Sequence, residues 1–255
     1  MKTDMTEMAV YSAICSSDGI KAREIASRIG TDRATVNRYL YASPFMRELC
    51  WQDKEYRWHG LIRQGRPHTG LEDFCGYYST VEEFLSLSEK RWFDALCEGC
   101  SRVGRSLSDT RGLFHSFLDT RRVMEELFEA LDDVGYAGYG NWEICFEVRI
   151  KKSSRIRIYA DVLLITEDKV FSLEFKMKDA IDPEEVEQAA KYCSYLEVLF
   201  GPSYDVIPAL VLTGAADFYD YAPLQGEDAV IPVCSGDMLF NLLDEYIGVI
   251  GDGED

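Results

Sequence analysis

The chain of 255 residues reads as an α+β protein, α/β in its broad sense: a small helical module at the N-terminus, a helical connector, and a C-terminal mixed sheet flanked by helices. Three observations predict it. Apolar residues recur at helical spacing around a glycine turn near the start of the chain. Three consecutive stretches after Asn141 alternate apolar and polar residues, the period of strands. An amphipathic helix and two further apolar strands follow them.

Taken in order, residues from about 4 to 16 read as a first helix. Ile20, Ile25, Ala26 and Ile29 line a second, Gly30 stops it, Thr31 can cap the next, and Val36 and Leu40 continue the apolar pattern. Cys50 and Trp51, separated by Asp53-Lys54 from Tyr56 and Trp58, read as the two arms of a hairpin. Helix, tight turn, helix and hairpin together resemble a winged helix-turn-helix domain over residues 1–60. The resemblance implies that the second helix of the pair enters a major groove, with Arg33, Asn37 and Arg38 free to reach bases or phosphates. Winged helices also bind protein partners, which leaves packing or dimerisation as the other use of this module.

Residues 61–115 are expected to form the connector, opening on the glycine-rich stretch 60–70 that holds Pro67 and His68. Residues 71–135 read as helical throughout, with Trp92, Phe93, Leu96, Phe114, Phe117 and Leu118 at apolar spacing. Cys97 and Cys100 make half of a zinc or iron–sulfur pattern, but no second half follows, and they read as helix-core thiols. His115 sits among phenylalanines and leucine and reads as structural, and no P-loop, HExxH or Ser/His/Asp pattern occurs. All eight cysteines are expected as reduced thiols of a cytoplasmic protein with no membrane span.

The third part, 116–255, carries the chemistry. Ile144, Phe146, Val148 and Ile150 alternate with Glu143, Cys145, Glu147 and Arg149. Lys152-Ser153-Ser154 turns the chain, and Ile156, Ile158, Ala160, Val162 and Leu164 then alternate with Arg155, Arg157, Tyr159 and Asp161. After a turn at Glu167-Asp168, Phe171, Leu173, Phe175 and Met177 alternate with Ser172, Glu174, Lys176 and Lys178. A symmetric loop centred on Glu167 and Asp168 pairs residues whose numbers sum to 335, which sets Asp161 opposite Glu174. Carboxylates so opposed have Cβ atoms about 5 Å apart and repel unless a cation lies between them. A divalent metal satisfies both, with Lys176 on the same face to stabilise developing negative charge. The alternative is a solvated polar face on which Lys176 neutralises Glu174.

Asp161, then Glu174-Phe175-Lys176 at the end of the next strand, resembles the PD-(D/E)xK nuclease superfamily with its restriction-endonuclease-like fold. Gln188-Ala189-Ala190-Lys191-Tyr192 on the following helix is similar to the QxxxY motif of its RecB-like branch. The resemblance covers residues 116–235, from a helix over 116–134 through the three strands and a helix over 183–199 to strands near 206–212 and 229–234. Ala160 stands where the family's proline precedes the aspartate, and no cysteine set follows Tyr192. The resemblance implies Mg²⁺ or Mn²⁺ on Asp161 and Glu174, Lys176 as base or charge stabiliser, and Gln188 and Tyr192 beside them. It also implies a glutamate from the first helix, for which Glu125, flanking Met124, Leu127, Phe128 and Leu131, is the choice over Glu126 and Glu129. Glu147 on the first strand is its rival.

The net charge of −18 tempers a nucleic-acid function, yet it is unevenly spread. Residues 1–60 carry nine basic and eight acidic groups, 61–115 seven and eight, and 116–255 eleven and 29. Metal-binding carboxylates beside a separate gripping module reconcile the acidity with a nuclease on nucleic acid, DNA being the first expectation. A second expectation is a non-catalytic DNA-binding regulator, its nuclease-like domain kept for homodimerisation or for a protein partner.

Overall fold

A computed structural model describes residues 5–17, 19–60, 71–107, 110–152, 157–201, 204–226 and 228–249. The turn expected at Lys152-Ser153-Ser154, the strand positions Arg155 and Ile156, and Pro67 and His68 lie partly or wholly outside them. The chain is α+β and divides into two compact units, Met1–Leu71 with Leu196–Asp205, and Glu72–Tyr195 with Val206–Asp255. Among the described residues no helix is long and apolar enough to cross a membrane.

The first unit contains α1 (Met5–Cys15), α2 (Ala22–Ile29), α3 (Arg33–Ala42), α4 (Pro44–Leu49), β1 (Cys50–Gln52) and β2 (Trp58–Gly60). Gly30 ends α2 in the left-handed region at φ 70°, a conformation that costs glycine nothing. Asp32, and not Thr31, caps α3: its Oδ1 accepts from the Thr35 amide at 2.9 Å. Ser43 caps α4 ahead of Pro44 at the first helical position, a helix the apolar spacing does not announce. The strands pair antiparallel, Cys50 opposite Gly60. Their turn is organised by Asp53, whose Oδ1 accepts from the Glu55 and Arg57 amides while Oδ2 meets His59 Nε2 at 2.8 Å. Val10, Tyr11, Ile14, Ile25, Val36 and Leu40 are buried, and the Tyr11 hydroxyl donates to the Leu199 carbonyl at 2.6 Å.

The second unit starts earlier than the sequence suggests. The expected connector over 61–115 is not a separate part, because from Glu72 onward the chain belongs to the sheet unit. Within the window read as all-helical, β3 (Tyr77–Thr80) pairs antiparallel with β4 (Glu143–Lys152). It is followed by α5 (Val81–Ser86), α6 (Glu89–Val103) and α7 (Thr110–Asp133). After β4 come β5 (Arg157–Ile165), β6 (Lys169–Lys176), α8 (Pro183–Phe200), β7 (Asp205–Leu212), β8 (Tyr219–Pro223), β9 (Val230–Ser235) and α9 (Leu239–Ile247). The seven-stranded sheet runs β3-β4-β5-β6-β7-β9-β8; β3 to β6 are antiparallel neighbours, and β9 lies parallel to β7 and antiparallel to β8.

Helices cover both faces. On one, Val123, Met124, Leu127, Phe128 and Leu131 of α7 and Leu239, Leu242 and Leu243 of α9 pack with Ile144, Phe146, Val162, Leu164, Phe171 and Leu173. Each such aromatic or leucine side chain taken fully from water contributes about 1.5–3 kcal/mol. On the other face Val186 and Ala189 of α8 pack against Leu210, Leu212, Ile231 and Val233. Coverage on both sides corrects one expectation. Glu143, Cys145, Glu147, Ser172 and Glu174, expected on a half-solvated face, are buried.

Candidate active site

The site is built on three neighbouring strands, β4, β5 and β6. Between β5 and β6 the pairs Ile165–Val170, Leu164–Phe171, Leu163–Ser172 and Val162–Leu173 follow the register expected from the turn. The next position sets Asp161 against Glu174, and here side chains take over from the ladder. Asp161 Oδ2 accepts from the Phe175 amide at 2.9 Å. Glu174 in turn lies against the Asp161 amide. Lys176 shares the face, its Nζ 3.7 Å from Glu174 Oε2.

A third carboxylate comes from β4. The pairs Phe146–Val162 and Val148–Ala160 flank Glu147 and set it opposite Asp161. Glu147 has φ 54°, a left-handed conformation that a non-glycine residue adopts at a cost of about 1 kcal/mol or more. The Gly76 amide is shared between the carbonyls of Phe146 and Glu147 at this irregularity. Glu147 is 3% exposed and makes a 2.7 Å ion contact through Oε2 with Arg105 Nε. Arg105 follows Gly104, whose left-handed turn ends α6; its amide donates back to the Cys100 carbonyl at 2.8 Å, and its guanidinium lies 5.1 Å from the Tyr159 ring centre.

Crowding acids in a dry place favours their protonated forms. Burial and the Asp161 charge push Glu147 up to about 7, against the pull of Arg105. Burial also raises Asp161, opposed by Lys176, the Phe175 amide and Arg105. Glu174 is held well above the usual carboxylate range by burial and by Asp161. Helix α8 supplies the roof of this chemistry. Gln188 Nε2 donates to the Tyr192 hydroxyl at 2.8 Å, and burial and the Glu174 charge push that phenol up to about 12.

Asp161, Glu174, Lys176, Gln188 and Tyr192 are thus brought together, whereas Glu125 is not. It belongs to α7, on the opposite face of the sheet, and pairs with Arg121 at 2.7 Å. Glu125 lines instead a cavity of about 620 Å³ with His115, Arg122, Met177 and Thr213, which contains neither Asp161 nor Glu174. Glu147 of β4, and not Glu125, lies on the sheet face of Asp161. Motif reading does not find Arg105; only Gly104 marks the helix end that delivers it. Arg33 and Arg38 are exposed on α3 of the first unit and Asn37 is half-buried there. Cys97 and Cys100 lie on α6, Cys100 buried.

Among the described residues, no group of three or more His, Cys, Asp or Glu side chains has the spacing of a formed metal centre. Two features nevertheless suit a cation. Glu174 Oε1 is a buried oxygen without a hydrogen-bond donor, an arrangement that costs about 1–3 kcal/mol, and Glu147 Oε2 is held only by the partly exposed Arg105. The donor set is all oxygen, the kind that Mg²⁺ and Mn²⁺ prefer.

No family model matches the chain, and no curated protein matches it. Among solved structures it is similar to protein VC1899 from Vibrio cholerae, with 13% identity and a TM-score of 0.30, over 88% of this chain and 45% of that one. The chain thus spans less than half the length of that protein.

Proposed function

We propose that the second unit is a metal-dependent nuclease that hydrolyses phosphodiester bonds, in DNA first, and that the first unit is a winged-helix module that grips nucleic acid through Arg33, Asn37 and Arg38. One observation carries the reading: Glu147, Asp161 and Glu174 from three adjacent strands meet on one sheet face with Lys176 beside them. Such a cluster is expensive for a structural platform, which has no need of three neighbouring acids, two of them buried. It supports the resemblance to the PD-(D/E)xK superfamily drawn from Asp161, Glu174, Lys176, Gln188 and Tyr192.

Asp161, Glu174 and Glu147 are the residues that would hold Mg²⁺ or Mn²⁺. When bound, the cation supplies Lewis acidity toward a phosphoryl oxygen and a lowered pKa for water. Lys176 lies beside Glu174, where as an ammonium it would stabilise the charge gathering on the phosphate, or as a free amine would take the proton of the attacking water. The Gln188–Tyr192 hydrogen bond fixes the phenol against the carboxylates and limits water on the α8 side. Cleavage of supercoiled, linear and single-stranded substrates with Mn²⁺ tests the reading; a chain that binds DNA without cutting any of the three would refute it.

A second reading, a non-catalytic DNA-binding regulator, draws on the ion pairs by which Arg105 and Lys176 already offset two of the three acids. Titration with Mn²⁺ separates the two, since a regulator of this kind has no use for the cation.

A further inference from the structure

Arg105 stands where nothing in the catalytic reading uses it. Its guanidinium is the charge closest to Glu147, yet the two side chains differ sharply in surroundings: 33% of the Arg105 side chain is exposed and 4% of the Glu147 side chain. The approach is short, at 2.7 Å between Arg105 Nε and Glu147 Oε2. A structural arginine normally offers its planar fork to a carboxylate in two parallel bonds. This one meets Glu147 through Nε and also lies over the Tyr159 ring, its central carbon 5.1 Å from the ring centre.

The backbone beneath it is fixed. Gly104 and Arg105 close α6 with a paired turn, the Gly104 amide donating to the Ser101 carbonyl at 3.2 Å and the Arg105 amide to the Cys100 carbonyl at 2.8 Å. A side chain of this length on an anchored Cα can exchange partners without any change in the main chain. Lys176 offsets Glu174 from the far side, at 3.7 Å. Arg105 and Lys176 therefore bracket a row of three acids, one cation at either end.

Building on the nuclease reading, we infer that Arg105 is an exchangeable counter-ion, which holds Glu147 in the metal-free site and yields it to a divalent cation. The guanidinium, already one-third exposed, then clamps a phosphate of the bound strand. The exchange has a physical basis on both sides. A divalent ion and a guanidinium compete for the same buried oxygen, and a planar fork freed from a carboxylate fits a phosphodiester equally well. Metal loading and substrate capture are thereby coupled through a single side chain. Arg105 is a positioning residue in the free protein and a phosphate ligand in the loaded one.

The full chain, with Arg105→Gln and Arg105→Lys variants, tests this at pH 8. Titration calorimetry with Mn²⁺ in the absence of nucleic acid should show Arg105→Gln binding the ion about tenfold more tightly than wild type, the equivalent of one pKa-sized coupling. Arg105→Lys, which keeps the charge, should remain close to wild type and serves as the folding control. Anisotropy of a DNA duplex with Ca²⁺, in a Lys176→Ala background that prevents cutting, should show the added Arg105→Gln weakening binding severalfold and lowering the salt slope by about one. Wild type that takes up Mn²⁺ with Arg105→Gln no tighter would overturn the exchange and leave the nuclease reading standing. Tighter Mn²⁺ with unchanged duplex affinity would overturn the phosphate clamp. Absence of Mn²⁺ binding in wild type and variant alike would overturn the nuclease reading, and this inference with it.

Discussion

Without metal, raising the pH should weaken the second unit through Glu147. A glutamate in the unfolded chain titrates near 4.5, whereas burial and the neighbouring Asp161 move this one up to about 7 in the folded protein. The folded state therefore holds the proton more tightly than the unfolded state. Its contribution is fully present below pH 4.5 and is lost as pH rises through 7. The shift of about 2.5 pH units at 1.36 kcal/mol each corresponds to about 3 kcal/mol. Glu147 is almost wholly buried, so solvent screening removes little of that figure. For a unit of this size, 1 kcal/mol moves the melting temperature by about 2–4 °C, which makes the expected change roughly 6–12 °C. Thermal melts of wild type and Glu147→Gln in EDTA, from pH 4.5 to 8.5, report the effect of the Glu147 carboxyl together with its coupling to Asp161 and Glu174. The wild type should lose stability relative to the glutamine variant as pH rises. A difference that is flat, or that grows in favour of wild type, would refute the reasoning, since it would mean that Arg105 holds Glu147 ionised throughout.

Three further outcomes are expected. Gly99→Ala should destabilise the second unit by about 1–3 kcal/mol in urea melts although alanine is the better helix former, because its Cβ would run into the Gly76 carbonyl oxygen and backbone must move. Arg33→Ala with Arg38→Ala should lower duplex affinity and reduce its salt slope by about one for each phosphate that is no longer neutralised, leaving cleavage at saturating DNA intact; filter binding across salt concentrations checks it. Tyr192→Phe, which removes the acceptor of the 2.8 Å bond from Gln188, should cost about 1 kcal/mol in stability and reduce turnover more than duplex affinity.

What is legible in the sequence follows from local rules. The β5–β6 register is readable because alternation fixes the face and the Glu167-Asp168 turn fixes the count, and both act over a few residues. Gln188 and Tyr192 are readable as a pair because residues four apart on a helix share a face. Long-range coverage is not. Nothing in Glu143, Cys145 or Ser172 announces that a second layer buries them, so alternation by itself reads as a half-solvated face. The left-handed backbone at Glu147 has no signature in residue type, and the apolar stripe of α7 points to Glu125, which lies on the other face of the sheet from Asp161. Strand β3 is four residues long and sits between helical patterns; only its pairing with β4 defines it. Strand β8, five residues long, carries Asp220 and Pro223, both unusual in strands. Thr31 and Asp32 are both good caps, and the choice between them depends on where α3 starts, which periodicity sets only to within a residue or two.

The nuclease reading rests on a cation held between strands by Asp161, Glu174 and Glu147, and Mn²⁺-dependent cleavage by wild type and Asp161→Asn addresses it most directly. Wild type should cut a DNA substrate only when Mn²⁺ or Mg²⁺ is supplied and should gain thermal stability with the ion. Asp161→Asn, folded as judged by its melt in EDTA, should lose both the cutting and the metal-induced gain. Equal cutting and equal thermal gain in the two chains would contradict the assignment of these carboxylates as the metal site.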